Sequence, residues 1–186
     1  PKNDSWAKMG KTFFVRDGKL CFDIGWVGCV ISAQSVNDGR WHHVAISGSR
    51  NLQRLYIDSL PAAEGTMQGG SDVSDHVLKI GYTTKDFPTP SAWKGALDEV
   101  RIYGKALSAK EIAKQSRLSK RGTHRSLSGY WPFDSNARDA SGNGNNALVN
   151  RKAKVCYGAG KAGKALQLDG TSENILVMSA DGGHRL

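Results

Sequence analysis

Three sets of side chains in this sequence have the types and spacing to do chemistry. The first is rich in oxygen. Asp139-Ala-Ser141-Gly-Asn143-Gly-Asn145 sets carboxylate, hydroxyl and amide oxygens at alternate positions in a glycine-rich stretch. A hard cation such as calcium takes that kind of ligand set. The stretch begins like an EF-hand loop, but its twelfth position is Asn150 rather than glutamate and no helices are expected around it. A calcium ion here needs a second carboxylate from elsewhere. Asp98 is the first candidate and Asp134 the second. The alternative is a plain Asx-rich turn with Asp98 paired to an arginine.

The second set is Asp98-Glu99, an adjacent acid pair. Neighbours in a strand leave opposite faces, so these two cannot flank one glycosidic bond as an acid and a nucleophile. No Glu-x-Asp-x-x-Glu run is present, and the sequence argues against catalysis. His42-His43 are neighbours as well and do not make a two-histidine metal site; one is expected in the core and the other exposed. The third set is aromatic. Trp26, Trp93 and Trp131 could each stack on the apolar face of a sugar ring, or could be core. Trp93 and Trp26 are carried forward as ligand-binding candidates, Trp93 first because it follows a proline-bearing loop over 83–92.

These groups must be positioned by short strands. Ala96, Asp98, Val100 and Ile102 alternate in one expected strand with Asp98 facing inward. Ser108 and Glu111 form a capping box that opens a short helix over 108–115. Strands are expected over 12–16, 19–24, 29–33, 41–46, 52–57, 77–82, 129–133, 147–149, 166–168 and 175–177, with Asp17-Gly18 a hairpin turn and 58–75 a loose connection. Many short strands with one helix predict an all-β antiparallel sandwich.

The chain has 186 residues, 39% of them apolar, with 22 glycines and a net charge of +9. The charge suits an acidic partner such as a sulfated or uronic-acid polysaccharide, or is simply a solvated surface. No nucleic-acid motif accompanies it, and no apolar run approaches the ~18 residues of a membrane helix. The sequence opens on Pro1 and reads as a piece of a longer protein. Cys21 and Cys29 are symmetric about Gly25, so a hairpin centred there would set them opposite one another; two unrelated buried thiols are the alternative. Cys156 has no evident partner.

Two parts of the chain carry a family resemblance. One is Asn37-Asp-Gly-Arg-Trp-His-His-Val-Ala45, Leu55-Tyr-Ile-Asp58, Leu97-Asp-Glu-Val-Arg-Ile-Tyr103 and Ala106-Leu-Ser-Ala-Lys-Glu-Ile112. The other is Tyr130-Trp-Pro-Phe-Asp134, Asp139 to Asn146 and Gly160-Lys-Ala-Gly-Lys-Ala-Leu-Gln-Leu-Asp-Gly170. Together they resemble the laminin-G-like, concanavalin A-type jelly-roll domains of lectins and glucanases. In that family the second part opens a domain and the first closes it; here the order is reversed. The resemblance implies three divisions. Residues 1–117 are the C-terminal two-thirds of one sandwich, 118–127 a basic linker, and 128–186 the N-terminal third of the next repeat, which could complete the first part in permuted order. It also implies a structural calcium near the 139–146 loop and the Leu-Asp-Glu-Val strand. Asp58-Ser59 stands where the family has Asp-Gly.

The function this implies is a non-catalytic, lectin-like module of a secreted or cell-surface protein, binding a polysaccharide or glycan. An adhesive repeat without a small ligand and a degenerate glycoside hydrolase fragment are the alternatives.

Overall fold

The structure is a computed structural model, and it describes residues 4–49, 51–68, 77–88, 91–117, 126–149, 156–171 and 175–177. The linker cations Lys120, Arg121 and Arg125 lie outside the described residues. The strands are β1 (Lys11–Arg16), β2 (Lys19–Ile24), β3 (Gly28–Ser35), β4 (Val44–Ser49), β5 (Leu52–Ile57), β6 (Leu60–Thr66), β7 (Leu78–Ile80), β8 (Lys94–Leu97) and β9 (Val100–Tyr103). After helix α1 (Ala109–Gln115) come β10 (Leu127–Trp131), β11 (Ala147–Val149), β12 (Cys156–Ala159), β13 (Lys164–Asp169) and β14 (Ile175–Val177). Every pairing is antiparallel. The expected class, an all-β antiparallel sandwich of the concanavalin A type with one short helix, is the class observed.

The chain forms two compact units. One comprises residues 6–73 and 105–118. Asp17 and Gly18 both take positive φ, which suits the tight β1–β2 hairpin. Sheets β1-β2-β3 and β4-β5-β6 pack together through Leu20, Phe22, Ile24, Val30, Leu55 and Ile57. Alternation explains this core: Leu20, Phe22 and Ile24 share one face of β2, and Leu55 and Ile57 one face of β5. Helix α1 has the expected box, with Ser108 capping the Glu111 amide and Glu111 reaching back to the Ser108 amide. Ser47 Oγ donates to the Leu107 carbonyl and the Ser59 and Ser116 hydroxyls lie 2.6 Å apart, tying the helix region to the strands.

The other unit comprises residues 1–5, 74–104 and 119–186. Each of its three strands between 78 and 103 pairs with a strand from beyond the basic segment: β7 with β14, β8 with β13, and β9 with β10. Its core is Ile80, Trp131, Phe133, Ala137, Leu166 and Leu168. Because these ladders join residues 78–103 to residues 127–177, cleavage between Lys120 and Arg121 is expected to leave the two pieces associated and folded. Size-exclusion chromatography with circular dichroism checks this; co-elution is the expected result, and separation without loss of folded signal would contradict it.

Several strand expectations need correction. The single strand expected to carry Ala96, Asp98, Val100 and Ile102 is two strands in two sheets, broken at Asp98-Glu99, where Glu99 has φ +56°. Trp41, His42 and His43 precede β4 rather than belonging to it, because the Asp58 carboxylate takes the His43 amide. Residues 60–66 form β6, which sequence pattern hid because Pro61, two alanines and Gly65 are weak strand formers. Pro61 is tolerated near the start of a strand at the margin of its sheet. β12 was also unexpected.

Candidate functional site

The oxygen-rich loop is built around Asp139. Its Oδ1 accepts the amides of Tyr130 (3.0 Å) and Ser141 (2.8 Å), and its Oδ2 accepts the Ser141 hydroxyl (2.8 Å) and the Asn145 amide (2.9 Å). Burial alone would raise this acid, but those donors outweigh it and hold its pKa below the ordinary value. Asn143 and Asn145 turn their side-chain amides to the Leu127 and Ser128 carbonyls. The Asn145 carbonyl in turn accepts the indole N–H of Trp131, a fully buried core residue. Asp139, Ser141, Asn143 and Asn145 therefore form an Asx-type loop that fastens itself to β10.

Asp98 and Asp134 meet a different loop, residues 160–164. Asp98 Oδ2 accepts the Ala162 amide at 2.9 Å, and Asp134 Oδ1 accepts the Lys164 amide at 3.0 Å. Gly163, at φ +74°, is needed here twice over: a Cβ would lie 2.1 Å from Asp134 Oδ1. Asp98 Oδ1 is buried and lacks a hydrogen-bond partner. Burial raises the Asp98 pKa; the Ala162, Lys161 and Glu99 amides oppose that, and the Asp134 charge reinforces it. An orphaned buried carboxylate oxygen beside a second carboxylate suits a hard cation, so Asp98 and Asp134 fit the calcium that the family resemblance implies. The arginine pairing considered for Asp98 goes to its neighbour instead. Glu99 binds the Arg101 guanidinium and accepts the Tyr130 hydroxyl at 2.9 Å. Arg101 stacks over the Tyr130 ring, 4.4 Å from its centroid. The Tyr130 hydroxyl is pushed up to about 12, first by burial and then by Glu99. Among the described residues, no group of three or more His, Cys, Asp or Glu is placed to hold a metal; two carboxylates are available at the 160–164 loop.

The aromatic candidates part company. Trp131 is fully buried in the core. Trp93 is half-buried and packs against that same core. Trp26 is 71% exposed, at φ +62° in the turn between β2 and β3. Trp41, expected to open the 41–46 strand and not weighed as a ligand contact, is also exposed. A groove of about 570 Å3 runs between the β5–β6 edge and the start of α1, lined by Tyr56, Pro61, Ala62 and Leu107 and flanked by the Arg54–Glu64 ion pair. Sequence reasoning missed it because its wall is β6.

His42 forms a clasp. Its Nδ1 is 2.8 Å from Asp58 Oδ2 and its Nε2 is 2.9 Å from Asp38 Oδ1. Carboxylates only accept, so both contacts are satisfied together by the imidazolium. The Asp58 and Asp38 hydrogen bonds accordingly raise the His42 pKa above 6.5. Both histidines are half-buried, rather than one being core and one exposed. A group with a raised folded pKa stabilises fully below its unfolded value, and that contribution is lost as pH rises through the folded value. Denaturation midpoints are therefore expected to decline as pH rises from about 6.5 through the folded His42 pKa, and His42→Gln should flatten that decline. An unchanged slope in the variant would contradict the clasp.

The family comparison agrees with this fold. The family described as the concanavalin A-like lectin/glucanases superfamily (Laminin_G_3) matches residues 10–113, more than half of the chain. The chain belongs to that family, and membership supports a binding module. Human protocadherin Fat 1 is 31% identical over 98 residues, covering 46% of this chain and 2% of that protein. Human laminin subunit alpha-3 is 34% identical over 64 residues, covering 33% of this chain and 2% of that protein. The chain thus spans a small fraction of these relatives. A crystal structure of an S-layer domain-containing protein from Clostridium thermocellum aligns with a TM-score of 0.34 at 19% identity, over 60% of this chain and 65% of that one. Among the described residues no helix is long and apolar enough to cross a membrane.

Proposed function

We propose that the chain is a non-catalytic module of a larger secreted or cell-surface protein, binding a glycan or polysaccharide and holding a structural calcium ion at Asp98 and Asp134. The observation that carries the ligand reading is Trp26, an indole left 71% exposed on a tight turn. An exposed aromatic face suits the C–H face of a pyranose, and Trp93, packed against the core, is the weaker contact. Membership in a lectin/glucanase superfamily supports the same ligand class. Pairing of β7, β8 and β9 with strands from beyond the basic segment, all within one unit, supports a permuted order of the family's two parts.

One observation favours the hydrolase reading. Burial raises the Asp98 pKa and the Asp134 carboxylate adds to that rise, and glycoside hydrolysis uses two carboxyl groups, one of them a raised acid. The free Asp98 oxygen is buried, however, and its other oxygen is held by a backbone amide. That burial supports a structural role for the pair over a catalytic one.

The net charge of +9 favours an acidic polysaccharide. Retention on a sulfated polysaccharide column is expected to fall steeply with salt, over the range where the Debye length drops below about 10 Å. Replacing Lys114, Arg117, Lys120 and Arg121 by serine should abolish it. Unchanged elution would leave the cations as a solvated surface. Reducing-sugar release from the same polysaccharides, expected to be nil, separates binding from hydrolysis.

A further inference from the structure

We propose that Cys21 and Cys29 are a cross-strand thiol pair that closes to an intramolecular disulfide by exchange with a small-molecule disulfide, stapling the hairpin that carries Trp26. The register places them. Cys21 faces Ile31 and Cys29 faces Asp23, so the turn is centred one residue later than symmetry about Gly25 suggests. The two cysteines are then diagonal neighbours on one face of the β2–β3 pair. The Cys21 thiol donates to the Lys19 carbonyl at 3.5 Å and the Cys29 thiol to the Val30 carbonyl at 3.7 Å, and closure exchanges these two weak contacts for the S–S bond. Both are free in the structure; Cys21 is buried and Cys29 exposed. Diagonal neighbours stand about 7–8 Å apart at Cα, slightly beyond the usual disulfide span. Closure needs a small approach of the strands. The register irregularity beside Cys21 and the Gly28 link beside Cys29 are where that adjustment can occur.

Accessibility sets the order of events. The Cys29 thiolate attacks one sulfur of the small disulfide, whose S–S bond breaks, and one small thiolate leaves. Cys21, having lost its proton, then attacks Cys29 Sγ in the mixed disulfide, and the second small thiolate leaves. Two protein thiols are oxidised, one small disulfide is reduced to two thiols, and the leaving thiolates take up the two protons. Arg16, Asp17 and Asp23 are the charged groups facing the pair. Although the residue is exposed, partial desolvation of its sulfur, followed by Cys21 and Asp23, pushes the Cys29 thiol up to about 11, while Arg16 opposes the rise. The first step is therefore slow near neutrality, and its rate follows the thiolate fraction, about tenfold per pH unit from pH 7 to 9.

The test uses the full chain carrying Cys156→Ser, which leaves this pair alone, with oxidised glutathione as the probe. Thiol titration, mass measurement and non-reducing peptide mapping are followed between pH 7 and 9. The expected result is loss of both thiols in a monomer, one linked peptide joining Cys21 to Cys29, and no retained glutathione. Adding Cys21→Ser should trap glutathione stably on Cys29. Persistence of the mixed disulfide when Cys21 is present, retention of both thiols, or linkage only between chains would each overturn the proposal.

Discussion

Asp139→Ala is expected to destabilise the folded chain by about 3 kcal/mol, since several donors lose their acceptor and each buried unsatisfied group costs roughly 1–3 kcal/mol. Three of those donors are the backbone amides of Tyr130, Ser141 and Asn145, and the fourth is the Ser141 hydroxyl. Tyr130 and Asn145 are buried, so water does not readily replace the carboxylate. The damage extends to the core, because the Asn145 carbonyl holds the Trp131 indole. Asp139→Asn keeps one carbonyl oxygen but turns an amide donor toward other donors, and should lose somewhat less. Equilibrium urea denaturation of the three proteins checks this. A loss below about 0.5 kcal/mol in the alanine variant, the range of ordinary surface substitutions, would contradict the keystone role.

Calcium is expected to raise the thermal midpoint, and Asp98→Asn to abolish the rise. An ion that binds only the folded state stabilises it by about 2.7 kcal/mol at one hundred times its dissociation constant. The effect depends on Asp98 Oδ1, the buried oxygen without a partner, and on Asp134, whose Oδ1 already accepts the Lys164 amide. Asp139→Asn should lower the midpoint yet preserve the calcium response, because its carboxylate is occupied by protein donors. That contrast separates the two acidic loops. A wild-type midpoint indifferent to calcium and chelator would remove the ion from the account.

The fold was legible where one physical signal acted alone. The Ser108–Glu111 box marked α1, the Asp17-Gly18 pair marked the first hairpin, and alternation marked β2 and β5. It was illegible where a side chain competed with the backbone ladder. The Asp58 carboxylate draws the His43 amide out of β4. Glu99 takes a left-handed conformation and breaks one apparent strand into β8 and β9. Among the site residues, periodicity picked out Asp98 as an inward acid, and its environment bears the marks of burial. Periodicity could not show that Asp139 spends its oxygens on amides of β10 and its own loop, since those contacts depend on backbone donors that no side-chain pattern reports. Likewise Trp26 and Trp131 look alike in sequence, and only burial separates them.

A glycan array probed with the intact chain tests the binding reading most directly. The account predicts selective capture by a subset of carbohydrates, acidic ones among them. Trp26→Ala should weaken that capture by roughly tenfold or more, consistent with an aromatic contact of 1–3 kcal/mol. An array blank in calcium, at concentrations where the chain is folded, would contradict glycan binding and leave an adhesive repeat without a small ligand.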